Sequence, residues 1–260
     1  MHSTHREMEI LDELKVSGSC RIQDLARRLE VSEETIRRNV KKLADRGLVR
    51  KVHGGVYLPE AVQEASFAQR MDENPDAKRL IAAQLARMIK NGDSLILDIG
   101  STTAYVARAL RGHHDLFVVT NSVAVAQMLA TRNNNRVFMA GGELRAHDAG
   151  AFGREAINFV RQFSVHYAIL SAAAIDAETG FMLFDLQEAE FSREIIQHAE
   201  RSIVAADATK FGRRAPVRVE DPGVIDTLVT DAAPPREIAA FLREAGVKLV
   251  VAEAVETQAV

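Results

Sequence analysis

Residues 32–55 read Ser32-Glu-Glu-Thr-Ile-Arg-Arg-Asn-Val-Lys-Lys-Leu-Ala-Asp-Arg-Gly-Leu-Val-Arg-Lys-Val-His-Gly-Gly55. Ser32 has the chemistry of an N-cap, and Glu33 and Glu34 sit in a first turn whose dipole favours acids. Ile36, Val40 and Leu43, with Ala44, recur on one helical face, and Gly47 supplies a C-cap. Beyond the two leading acids, Arg37, Arg38, Lys41, Lys42, Arg46, Arg50 and Lys51 are set against Asp45 alone. Cations striped along a helix and the turn after it are the electrostatic footprint of a duplex reader, because polyphosphate binds such a surface by counterion release.

Working outward, Met8, Ile10, Leu11 and Leu14 predict a first short helix over His5–Val16, stopped by Gly18. Ile22, Leu25, Ala26 and Leu29 predict a second, which leads at once into the basic third. Leu48–His53, Gly54-Gly55 and Val56–Leu58 read as a hairpin, the wing of a winged helix. Residues 1–58 are therefore expected to form a winged helix-turn-helix DNA-binding domain. In that arrangement the start of the third helix enters the major groove, so Thr35, Arg37 and Arg38 are expected at base edges. Lys41, Lys42, Arg50 and Lys51 are expected on phosphates, with Ser32 and the wing residue His53 completing the DNA-facing set. Asn39 falls at the edge of the apolar stripe and reads as packing. A merely solvated basic helix would show the same cations, but not turn, cap, helix and basic wing in that order.

The bulk numbers agree only when the chain is divided. Its 260 residues carry 33 basic and 36 acidic side chains, formally −3. Through Glu60 there are twelve basic and ten acidic residues, net +2, which leaves −5 for the rest. That asymmetry suggests a small DNA module on an acidic body. Cys20 is the single cysteine, which excludes an intrachain disulfide and a multi-cysteine zinc site. The first residues lack an apolar leader and nothing approaches a membrane span, so the expected location is the cytoplasm, on the nucleoid when DNA is bound.

Residues 59–74 are polar and weakly periodic and read as a linker ordered in places. From Asn74-Pro75 a helix is expected to run to Asn91-Gly92. Short apolar runs then alternate with helices: Ser94–Leu97, Leu116–Thr120, Arg136–Ala140, Tyr167–Ser171, Ser202–Ala206, Thr227–Thr230 and Lys248–Val251. The fold class is α/β, with a Rossmann-like second domain over residues 75–252, a mostly parallel sheet and a frayed tail at 253–260.

Three strand ends in this domain carry small polar residues. Asp98-Ile-Gly100-Ser101-Thr102-Thr103 ends a strand and opens a helix, which suits a phosphate: backbone N–H groups, a positive dipole end, three hydroxyls and a glycine for close approach. Thr120-Asn121-Ser122 repeats the pattern and Gly141-Gly142-Glu143 follows the third strand. Ligands of open α/β sheets bind at such a carboxyl edge. Asp185 with Glu188 begins a helix expected over Gln187–Glu200, as ligand contacts, a capping box or both. Lys210, after the fifth strand, could balance a phosphate. The histidines share no metal-binding spacing, so neither a metal nor a cofactor is expected.

Both halves together resemble the DeoR family of bacterial transcriptional regulators. The resemblance rests on Val31–Arg38, Leu43, Gly47 and Arg50–Gly55, and on Asp98–Thr103, Thr120–Ser122, Gly141-Gly142, Ile175-Asp176 with Gly180, Asp185–Glu188 and Asp207 with Lys210–Gly212. It implies a sensor domain like ribose-5-phosphate isomerase that senses a phosphorylated sugar or polyol. The implied effector contacts are Asp98, Gly100, Ser101, Thr102, Thr103, Asn121, Gly142, Asp185, Glu188 and Lys210. Asn39 replaces the family's usual Asp, and Ala172-Ala173-Ala174 replaces a Gly-rich polar run. The resulting expectation is a repressor, not an enzyme, acting on a double-stranded operator. One winged helix makes too few contacts for genomic specificity, so a homo-oligomer, dimer or tetramer, is expected over half-sites about 34 Å apart or a multiple of that. The rival is a phosphosugar isomerase fused to a DNA module, using Asp185 or Glu188 as base and Lys210 as stabiliser. A sequence-indifferent coating protein is a third reading.

Overall fold

The computed structural model of the chain describes residues 5–17, 19–52, 55–57 and 65–253. The N-terminal part is α1 (His5–Ser17), β1 (Ser19–Arg21), α2 (Ile22–Arg28), α3 (Glu33–Asp45), β2 (Arg50–Val52) and β3 (Gly55–Tyr57). Ile10, Leu14, Leu25, Ile36, Val40 and Leu43 are buried together with Val49 and Val56, so the three helices close on one core that the wing seals. The wing has three strands in the order β1-β3-β2, all antiparallel. The sequence reading contained only two, because three residues between helices carry no periodic signal. His53 and Gly54, expected at the tip, lie outside the described residues.

The expected linker contains a helix, α4 (Phe67–Asp72), nucleated by a capping box in which Ser66 and Gln69 bond each other's backbone reciprocally. Next come α5 (Pro75–Met88), β4 (Ser94–Leu97), α6 (Ser101–Ala109), β5 (Phe117–Thr120), α7 (Val123–Leu129), β6 (Arg136–Met139), α8 (Arg154–Val160) and β7 (Val165–Ser171). The chain continues through β8 (Ala174–Asp176), β9 (Gly180–Leu183), α9 (Leu186–Gln197), β10 (Ala199–Ala205), β11 (Val217–Arg218), β12 (Thr227–Thr230), α10 (Arg236–Glu244) and β13 (Lys248–Val251). Helix α9 stops three residues before the expected Glu200, because Ala199 and Arg201 already pair with β7.

Seven strands form one sheet in the order β13-β12-β10-β7-β4-β5-β6, and every pairing in it is parallel. Apolar clusters lie on both sides of it, which is why its central strands read as continuous apolar runs. Strands β8, β9 and β11 form a separate antiparallel sheet that the sequence reading did not contain. The chain runs outward from β4 to β5 and β6, then returns to place β7 on the other side of β4. That reversal opens a crevice beyond the carboxyl ends of β4 and β7.

Candidate DNA-reading and effector sites

Helix α3 starts where Ser32 accepts the Thr35 N–H at 3.3 Å, and the two hydroxyls lie 3.0 Å apart. Ser32 and Thr35 are thus tied to each other at the helix start. Arg37 forms an ion pair with Glu33 at 2.6 Å on the next turn. Arg38, Lys41, Lys42, Arg50 and Lys51 are exposed and, among the described residues, take part in no ion pair. Arg46 leaves the stripe and reaches the buried Glu7 of α1 at 3.1 Å, so it fastens the helix instead of pointing outward. Asn39 is buried and donates to the Thr35 carbonyl at 2.8 Å, which places it on the packed side.

In the second domain Asp98, at the end of β4, is buried, and its Oδ2 accepts the Ser171 N–H from the end of β7 at 3.0 Å. This bond spans the switch point. A Cβ on Gly100 would stand 2.4 Å from the Ser171 hydroxyl, so glycine alone lets the turn pass β7. Thr103 turns its hydroxyl back to the carbonyls of Asp98 and Gly100, both at 3.0 Å, and braces the loop. Ser101 and Thr102 open α6, whose N-terminus has no side-chain cap. At the end of β5, Asn121 is fully buried and donates to the Ala151 carbonyl at 3.2 Å, while Ser122 caps α7.

Gly142 is exposed and lies near the start of the segment, residues 140–153, that joins β6 to α8. This segment folds back over the first two turns. Arg145 reaches Asp148 and Glu188, lies 3.4 Å from Asp185, and stacks its guanidinium 4.2 Å from the centre of the Phe152 ring. Gly150 sits against Ile99 so tightly that a Cβ there would stand 2.7 Å from it. Burial pushes the Asp148 carboxyl up, but the Arg145 contacts and the Gly150 N–H outweigh it and hold Asp148 below the usual carboxylate range. Sequence reasoning missed Arg145, Asp148 and Gly150. Their only trace was the Gly-Gly turn before them, since an arginine between turns has no periodicity to betray it.

Asp185 caps α9, accepting from the Gln187 and Glu188 N–H groups at 2.8 and 3.1 Å. Capping and contact with Arg145 therefore coexist there. Asp98, Asn121 and Glu188 line one small cavity with Phe152, Leu183 and Phe191. Lys210 stands apart from that cavity, in the turn that Asp207 caps after β10. Its neighbour is Lys78, buried on α5, whose ammonium donates to the Arg70 and Glu73 carbonyls. Desolvation, and then the charge of Lys210, lower the Lys78 pKa. Burial pushes the Asp98 carboxyl well above its ordinary range, against the pull of the Ser171 N–H.

The profile of the DeoR C terminal sensor domain matches residues 73–232, and that of the DeoR-like helix-turn-helix domain matches residues 6–62. The chain belongs to the DeoR family. Among its DeoR-family relatives, the glycerol-3-phosphate regulon repressor of Escherichia coli K12 is 34% identical over 96% of this chain and 99% of its own. The counterpart from Haemophilus influenzae is 35% identical over 96% and 98%. The repressor CsqR of E. coli K12 is 32% identical over 95% and 94%. Reading this DeoR-family chain as a regulator agrees with those names. Among solved structures, ribose 5-phosphate isomerase A of Methanocaldococcus jannaschii aligns with 54% of this chain and 55% of its own, at 18% identity and a TM-score of 0.39. No helix among the described residues is long and apolar enough to cross a membrane.

Proposed function

We propose that the protein is a DNA-binding transcriptional repressor of a carbohydrate or polyol catabolic operon, controlled by a phosphorylated sugar or polyol. The observation that carries this reading is the pairing of an outward basic helix with a buried, uncapped helix N-terminus at the switch point of the sheet. Arg38 with Thr35 and Arg37 would meet base edges, and Lys41, Lys42, Arg50 and Lys51 would meet phosphates. The α6 start would take the effector phosphate, with Lys210 as its cation. Residues 1–58, 59–74 and 75–252 divide as DNA module, linker and sensor. A homo-oligomer acting in the bacterial cytoplasm completes the picture.

A non-enzymatic role is supported by the state of the two carboxylates that could act as bases. Glu188 is held by Arg145, and Asp185 is engaged in capping α9. Effector coupling of about 1–3 kcal/mol would change operator affinity about 5- to 150-fold. Fluorescence anisotropy on the promoter fragment beside the gene, with and without a panel of sugar and polyol phosphates, measures this. The expected result is salt-sensitive, sequence-preferring binding that one phosphoester shifts. Equal affinity for random DNA, or sustained aldose–ketose phosphate turnover abolished by Glu188→Gln, would replace this reading.

A further inference from the structure

The small cavity at the inner end of the crevice has an unusual polar inventory. Asp98 Oδ1 and Asn121 Oδ1 are both buried, and among the described residues neither has a hydrogen-bond partner. Asn121 Oδ1 can only accept, whereas Asp98 Oδ1 accepts when ionised and can donate when protonated, and both side chains are fixed from the other end. Asp98 Oδ2 is held by the Ser171 N–H, and the Asn121 amide N–H is committed to the Ala151 carbonyl. Glu188 stands on the same cavity with Arg145 upon it, and Phe152, Leu183 and Phe191 supply apolar walls. Buried polar atoms in native proteins are almost always matched, so two orphaned oxygens on side chains that line one cavity mark a place for a polar group that both donates and accepts. The space fits roughly one water-sized group.

We propose that this cavity is a hydroxyl subsite, in which one carbinol oxygen of the effector sits between Asp98 Oδ1 and Asn121 Oδ1. The proposal rests on the sugar- or polyol-phosphate reading above and names the feature of the effector that this end recognises. A cation is the poorer fit, because the Arg145 guanidinium already occupies Glu188. A ketone, carboxylate or fluorine at the same carbon offers no hydrogen to Asn121. Burial favours the protonated Asp98 carboxyl, which would donate to the carbinol oxygen while the carbinol donates to Asn121. The buried Ser192 hydroxyl lines the same cavity and adds a third polar group to it.

Glycerol 3-phosphate, ribitol 5-phosphate and glucitol 6-phosphate, with inorganic phosphate as reference, are first ranked by thermal shift on the full chain. The tightest is then compared by calorimetry with its analogues in which each hydroxyl in turn is replaced by fluorine, which accepts but cannot donate. One position is expected to lose at least tenfold in affinity on the native protein. Asp98→Asn, a neutral isostere of the protonated acid, is expected to keep that discrimination. Asn121→Leu is expected to remove it, leaving parent and fluoro analogue within about twofold. If all fluoro analogues bind the native protein within twofold of the parent, or if Asn121→Leu still discriminates tenfold, the hydroxyl subsite is wrong while the phosphate reading stands. If no phosphoester shifts the melting temperature, the phosphate reading falls and the subsite falls with it.

Discussion

The two ends of this molecule handle charge in opposite ways. On α3 and the wing, Arg38, Lys41, Lys42, Arg50 and Lys51 stand in solvent. Around the crevice, Asp98, Asn121, Asp148 and Glu188 are buried and locked by named partners. A polyanion is long and repetitive, so a reader profits from exposed, mobile cations whose attraction reaches about a Debye length. A small ligand offers a few polar atoms, so its site must be dry and fixed before it arrives. Mutations of these exposed cations should therefore alter binding without altering folding, and mutations at the second end should do both.

The sharpest test of that contrast is Arg145→Ala. It leaves the carboxylates of Asp148 and Glu188 buried without their shared cation, which costs about 3–5 kcal/mol of stability. Urea denaturation measures it, and a loss under 1 kcal/mol would mean that this network is solvated. Asp98→Asn comes next. A buried acid with a raised pKa binds its proton more tightly folded than unfolded. Its favourable contribution is complete below the ordinary carboxylate pKa and declines as pH rises toward the folded value. Native protein should thus lose stability across that window and the Asn variant should not; parallel pH profiles would contradict the burial argument.

At the exposed end, Arg38→Ala should cost about 1–3 kcal/mol at the operator with no change in melting temperature. Unchanged binding in an anisotropy titration would take Arg38 out of the groove. The smallest effect is expected from Ser32→Ala, which removes the α3 N-cap at about 1 kcal/mol of folding stability. A loss confined to DNA binding would instead make Ser32 a direct contact.

Legibility followed the same divide. Helix α3 could be read from a cap, an apolar stripe and a charge pattern that all lie within one short window. The seven parallel strands announced themselves as apolar runs, since both faces of the sheet are covered. What stayed hidden was either too short for a period or made by residues far apart in sequence. Strands β1, β8 and β11 have two or three residues each. The Arg145–Glu188 contact joins positions 43 residues apart. Helix α4 was the one readable omission, because Ser66 and Gln69 have capping-box spacing.

Where the two ends touch, Arg21 of β1 reaches Glu178 at 2.6 Å, and Glu178 also receives Arg214 at the same distance. Both side chains of the Arg21–Glu178 pair are about half exposed. Such a bridge is worth about 0–1 kcal/mol and weakens with added salt. Breaking that bridge accordingly costs far less than unpacking either apolar core, and it is the first contact between the two ends that rising salt should loosen.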